Sequence, residues 1–282
     1  MMKIFAAAAA VAMLGAGPAL AQSGPSLHGF ADLSFKNDYI TPRGLRVTSE
    51  GFTTQFLNGL VLDLPQDPAG TIKDLSFVAG TWSDFNPGVH ALHTHTLNEF
   101  DWFVGANAKL GGGFSTGVQF VQFISAPGAF KTENNIEFSL NYSDGLKPIS
   151  INPYAKLFWA VSGDSTVVLG KRGNTHDVEL GAVPTLDLHD HGVPVILTAP
   201  TWVTVGPKSY WGGDQNAGVF STGLKAIVPL KTPAAAGHWS VYAGYQYYHL
   251  INDNLVAAEA LLNAGKRSRN LNLFQAGIGL GF

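Results

Sequence analysis

Gly113-Phe114-Ser115-Thr116-Gly117 has the G-x-S-x-G spacing of a nucleophile elbow, in which a sharp strand-to-helix turn presents a serine to a histidine and an acid. The residues around it read instead as the start of a strand, and Phe-Ser-Thr-Gly returns at 220–223 without the leading glycine. The match is one of composition. His238-Trp239-Ser240 puts a histidine and a serine on one strand face, but no His-x-Ser-Asn-Gly run completes such a pair. Two histidine groups, His90-Ala91-Leu92-His93-Thr94-His95 and His189-Asp190-His191, offer imidazoles of the kind transition metals take. Both lie between strands in a chain with no cysteine, and they read as solvated loop residues. No catalytic residue, metal site or cofactor is expected.

Nine charges carry the more promising chemistry. Asp32, Glu99, Asp101, Lys109, Glu137, Lys156, Asp177, Glu179 and Lys225 each occupy the face of a strand opposite an apolar one. If the apolar faces meet lipid, turning these side chains outward near the midplane would cost ~2–4 kcal/mol for each lysine. A watery lumen removes most of that cost, so these residues are expected to line a pore. The alternative is a closed lumen in which they pair and brace the wall. Phe30, Tyr154, Phe158 and Tyr242 share the inward faces and would narrow any passage.

The elements that hold these charges follow a period of two. Asn135 to Tyr142 is the clearest case, with odd positions polar and even positions apolar. Val178, Leu180, Ala182 and Leu186 alternate with Asp177, Glu179, Gly181 and Asp187, and Trp239, Val241, Ala243, Tyr245 and Tyr247 stand opposite Ser240, Gly244 and Gln246. Such runs predict twelve strands, at 27–36, 51–64, 74–85, 98–109, 114–125, 134–142, 149–161, 176–187, 193–205, 218–229, 238–250 and 270–282. Both faces are apolar in 114–125 and 193–205, which leaves their register open. The fold class expected is all-β, a transmembrane antiparallel up-and-down β-barrel with both ends in the periplasm. Short turns such as Gly111-Gly112-Gly113 and Asp144-Gly145 fall on that side. The longer connections 37–50, 86–97, 162–175, 206–217 and 251–269 fall outside.

Composition agrees with a barrel. Charged residues are 13 % of the 282, aromatics 11 %, and the formal net charge is −3, which excludes the basic stripe of a nucleic-acid partner. Met1 to Ala21 reads as a signal peptide: one lysine, an apolar run from Ile4 to Leu14, and Ala19-Leu20-Ala21 as the cleavage site. Its roughly eleven apolar residues are too few to span a bilayer. Residues 22–282 then form one barrel domain, bound for a bacterial outer membrane. At the far end Phe274, Ala276, Ile278, Leu280 and Phe282 alternate with Gln275, Gly277, Gly279 and Gly281. This resembles the β-signal of outer-membrane proteins, which implies that Phe274, Ile278, Leu280 and Phe282 are read by the barrel-assembly machinery.

Between the last two strands, Leu255, Ala258, Leu261 and Leu262 recur at helical spacing. With Asp253 as N-cap and Gly265 as terminator they predict a short helix at 254–265, packed on the barrel mouth. Arg43, Arg46, Lys171 and Arg172 lie on other outer connections, where they would attract anionic solutes or lipopolysaccharide phosphates or stay solvated. Asn37-Asp38-Tyr39 followed by Arg43-Gly44, just after the first strand, resembles the opening of the TorF-like family of porins. That family's Tyr-x-x-Arg-Gly has one residue fewer than Tyr39-Ile40-Thr41-Pro42-Arg43-Gly44. The resemblance implies a channel and supplies no catalytic residue. The expected function is passive passage of small hydrophilic solutes, with outer-membrane lipid and lipopolysaccharide as surroundings. A sealed barrel for adhesion or envelope integrity, or a lipid-modifying barrel enzyme, are the other readings.

Overall fold

A computed structural model describes residues 24–282 apart from 50, 66–68, 88–95, 164–172 and 264. The expected signal peptide, His90, His93, His95, Lys171 and Arg172 therefore lie outside the described residues.

The alternating segments form strands β1 (Ser26–Lys36), β2 (Tyr39–Ile40), β3 (Arg46–Thr48), β4 (Thr53–Leu64), β5 (Ile72–Phe85), β6 (Leu97–Leu110), β7 (Phe114–Ser125), β8 (Glu133–Tyr142), β9 (Ile149–Ser150), β10 (Pro153–Ser162), β11 (Thr175–Ala182), β12 (Thr185–Asp187), β13 (Ile196–Thr198), β14 (Thr201–Val205), β15 (Ala217–Pro229), β16 (His238–Leu250) and β17 (Asn270–Gly281). β2 and β3 pair only with each other. The rest pair in chain order, each antiparallel to the next, until β17 returns to β1 with Phe30 opposite Gly281 and Lys36 opposite Gln275. With β11–β12 and β13–β14 each counted as one span and β9 extending β10, the result is a closed twelve-stranded barrel. Closure leaves the barrel no open edge, so its backbone groups find partners within the wall.

Three predicted strands are broken at one level. The segments 149–161, 176–187 and 193–205 are interrupted at 151–152, 183–184 and 199–200. The cause is proline: Pro153, Pro184 and Pro200 lack the amide proton the ladder needs. They fall side by side, since Pro153 stands opposite Ala182 and Ala182 opposite Thr201. Local bonds replace the ladder there. Val183 donates to the carbonyls of Ile151 and Asn152, and Ala199 donates to that of Pro184. The carboxylate of Asp144 accepts from the backbone of Leu146, Ile151 and Asn152 at 3.0, 2.7 and 3.3 Å, and those amides hold it below its ordinary pKa.

The register left open in β7 is resolved. Gly117, Gln119, Val121, Phe123 and Ser125 point inward, and Phe114, Val118, Phe120 and Ile124 point outward. Val121 and Phe123 join Phe30, Leu57, Val78, Trp82 and Phe103 in a buried cluster inside the barrel, so both faces of this strand are apolar for different reasons. In β14 the inward pair is Trp202 and Thr204.

The outside is apolar around the whole circumference. Leu60, Phe77, Val104, Val118, Leu140, Leu180, Leu224, Phe274 and Ile278 are all exposed, Leu224 at 55 % and Phe274 at 59 %. Soluble monomers rarely show patches beyond a few hundred Å², and this belt is continuous. Aromatic side chains with a polar end flank it. Near the short turns the Trp239 indole donates to the Ala236 carbonyl at 2.7 Å, and near the long connections the Tyr245 and Tyr247 hydroxyls reach Asn272 and Asn270. No helix among the described residues is long and apolar enough to cross a membrane.

Candidate functional site in the barrel interior

Each span turns alternate residues inward, and the registers bring the inward charges into rows. Asp84 on β5 stands opposite Glu99 on β6. One row joins Gln119, Glu137, Phe158 and Asp177 across β7, β8, β10 and β11, and the next joins Ser139, Lys156, Glu179 and Thr204. Glu99, Asp101, Glu137, Lys156, Asp177 and Glu179 are all buried in the interior. Lys156 Nζ is 3.9 Å from Glu179, which also accepts from the Tyr154 hydroxyl at 2.8 Å.

Asp32 and Lys225 belong to a separate group on the facing wall. The Tyr242 hydroxyl donates to Asp32 at 2.8 Å, and Lys225 Nζ lies 3.5 Å from the centre of the Tyr242 ring. Gly277, on the strand between them, makes the space, since a Cβ there would stand 2.4 Å from the Tyr242 hydroxyl. Lys109 differs from the other eight. It sits at the turn end of β6, its side chain 67 % exposed, and pairs with Asp74 at 2.6 Å on the rim. Ser115, the second residue of β7, lies at the same end, and Ser240 is buried two residues from an exposed His238. His189 holds Asp187 at 2.6 Å in a turn.

The first long connection enters the barrel. Tyr39, Ile40 and Leu45 are buried, and β2–β3 form a small hairpin closed by bonds between Thr41 and Leu45. Tyr39 donates to Glu99 at 2.6 Å and packs 5.6 Å from Trp82. Gly44 has φ +85°, a left-handed conformation that favours glycine, and a Cβ there would meet Leu250 at 2.8 Å and Val219 at 3.1 Å. This turn aims Arg43 into the acidic wall, 3.5 Å from Asp177 and 3.8 Å from Glu133, with its guanidinium over the Phe158 and Tyr210 rings. Arg43 is therefore not a rim cation open to lipopolysaccharide or anionic solutes. Nor is Arg46, which pairs with the buried Glu259.

Glu259 belongs to the helix predicted from the leucine spacing, which spans Asp253–Leu262. Its N-cap is Asn252, whose side chain accepts from the Asn254 backbone, rather than Asp253. Leu255 is buried in one cluster with Ile40, Tyr210, Trp211 and Leu250, and Ala258 is buried beside it on the same helix, as a mouth-packed stripe requires. Leu261, 73 % exposed, lies off that stripe. The Asn263 side chain donates to the Arg46 carbonyl at 3.2 Å, so helix and hairpin are joined.

Sequence reasoning missed Asp84, Glu133, Tyr210 and Lys36, a buried inward lysine whose Nζ donates to Gln55. Asp84 and Glu133 share the inward parity of their strands, and parity would have found them. Tyr210 comes from a helical turn at Lys208–Trp211, where no periodicity points to it.

No family model matches the sequence, so the resemblance of Tyr39–Gly44 to the TorF-like porins gains no support from that side. No curated protein matches it either. Among solved structures, the chain is similar to the NanC porin at 9 % identity and TM-score 0.48, covering 90 % of this chain and 99 % of that one. It is similar to an outer membrane channel from Pseudomonas putida F1 at 10 % identity and TM-score 0.47, covering 95 % and 98 %. A KdgM porin solved with disordered oligogalacturonate gives 8 % and 0.43, covering 90 % and 99 %. These overlaps transfer neither solute nor role to this chain.

Proposed function

We propose that the chain is an outer-membrane channel for passive passage of small hydrophilic solutes, shut in this conformation by its own first long connection. The observation that carries this reading is the contrast between the two faces of one wall, with apolar side chains outside and buried charges inside. A sheet with these faces can close only with lipid around it and polar groups within. The reading includes export by a signal peptide cleaved after Ala21, insertion by the assembly machinery through β17, and a surround of lipid and lipopolysaccharide. It gives Ser115 and Ser240 no chemistry.

Route and orientation can be checked together. N-terminal sequencing of the extracted barrel should begin at Gln22. Single cysteines face no background in this chain, and an impermeant reagent on intact cells should label position 93 and spare position 190. The reverse labelling would invert the barrel, and an intact Met1 would remove the signal peptide.

Conduction is tested in planar bilayers. Replacing residues 40–47 with a short Gly-Ser turn should raise single-channel conductance severalfold, because Arg43 is then removed from among the acids and Tyr39 loses the hairpin that holds it there. A specific observation favours the sealed barrel as the second reading: Asp177 and Glu179 are 0 % exposed and Lys156 5 %, burial suited to a packed brace. Silence from both the natural chain and the shortened one, with folding intact, would establish it.

A further inference from the structure

We infer that the row formed by Glu137, Phe158 and Asp177 is a binding site for guanidinium-bearing solutes, occupied in the closed state by the chain's own Arg43. The inference rests on the channel reading for its purpose but not for its chemistry.

The site is built from four separate parts of the chain. Glu137, Phe158 and Asp177 stand opposite one another on β8, β10 and β11, all inward and buried. Glu133 adds a second carboxylate from β8, and Tyr210 adds a second ring from the connection after β14. Two ring faces lie 5.5 and 5.8 Å from the guanidinium carbon, within the reach of a cation–π contact. A planar, weakly hydrated cation suits this combination of carboxylates and ring faces better than a compact ammonium does.

Arg43 stops short of both carboxylates. Its nitrogens stay 3.5 Å from Asp177 and 3.8 Å from Glu133, whereas a seated charge-assisted pair closes to about 2.7–2.9 Å. The Gly44 turn, wedged against Leu250 and Val219, fixes how far the arginine reaches. Glu137 also feels the Arg43 charge, and among the described residues its Oε1 has no hydrogen-bond partner although the side chain is 3 % exposed. A free guanidinium has no tether, so it can approach these oxygens more closely and displace Arg43. Solute would then open its own path.

Methylguanidinium and methylurea test this, being almost the same shape and differing in charge. The full mature barrel, with Arg43→Ala and in detergent, should bind methylguanidinium calorimetrically and ignore methylurea. Adding Asp177→Asn should weaken that binding by at least about tenfold. Should Arg43→Ala fold poorly, methylguanidinium at non-denaturing concentration should restore its heat-modifiable form where methylurea does not. Equal binding of both probes, binding of neither, or refolding rescued by neither would overturn the site. Binding without conductance in any form would remove the channel reading and keep the site. Conductance without binding would do the reverse.

Discussion

Deleting Phe282 is expected to reduce folded, inserted barrel by about tenfold or more while export continues. Phe282 closes the cylinder: its backbone donates to the Gly29 carbonyl at 3.0 Å, and Gly29 donates back at 2.7 Å. Its ring lies over Gly29 on the outside, so close that a Cβ on Gly29 would stand 2.2 Å from it. The ring is 63 % exposed on the wall, so its contact with Gly29 secures only part of the ~1.5–3 kcal/mol that full burial is worth, and about 1.4 kcal/mol is already a factor of ten. The amide and carbonyl of Gly29, left without these two bonds, add to that cost. The same deletion would also remove the residue an assembly machinery is expected to read. Gly29→Val separates the two causes, because it pushes the ring away and leaves the C-terminal sequence intact. Loss of heat-modifiable barrel in both variants points to closure, and loss only in the Phe282 deletion points to recognition. Unchanged migration and outer-membrane yield in the deletion would refute both.

The spans were legible because apolar side chains outside and charges inside impose a period of two on nearly every strand. Where the inside turns apolar, the alternation fades. Val121 and Phe123 join Phe30 and the neighbouring Phe103 in one buried cluster inside the barrel, and β7 then reads as apolar on both faces. The strand breaks did leave a signal, in Pro153, Pro184 and Pro200, but their shared level depends on register, which one sequence does not contain. The interior site was half legible. Parity along β6, β8, β10 and β11 finds Glu99, Glu137, Lys156, Asp177 and Glu179. It cannot show that Arg43 reaches them, because that contact joins a loop to strands 90 and more residues away. Tyr39, Ile40 and Leu45 are apolar residues in a connection expected to be wet, and their burial explains that composition.

The pair Arg46–Glu259 should govern how often the barrel opens, since it joins the hairpin inside the lumen to the helix on the mouth. Glu259 is fully buried, and besides Arg46 it accepts from the Ser268 backbone at 3.2 Å. Removing one partner of a buried pair costs about 3–5 kcal/mol, because the other charge is left uncompensated. Arg46 is only partly covered and lies in the field of Asp38, so the loss of Glu259 leaves a cation with somewhere to turn. The loss of Arg46 strands a carboxylate with no exposure. Arg46→Ala should therefore act more strongly than Glu259→Ala, raising the opening frequency by at least about tenfold, the equivalent of 1.4 kcal/mol. The double variant leaves no stranded charge and should fall below the sum of the two. Single-channel records at constant voltage give all three values. Additive effects, or a stronger Glu259→Ala, would mean that the pair does not couple helix to hairpin. The helix would then rest on the mouth through Leu255 and Ala258 alone.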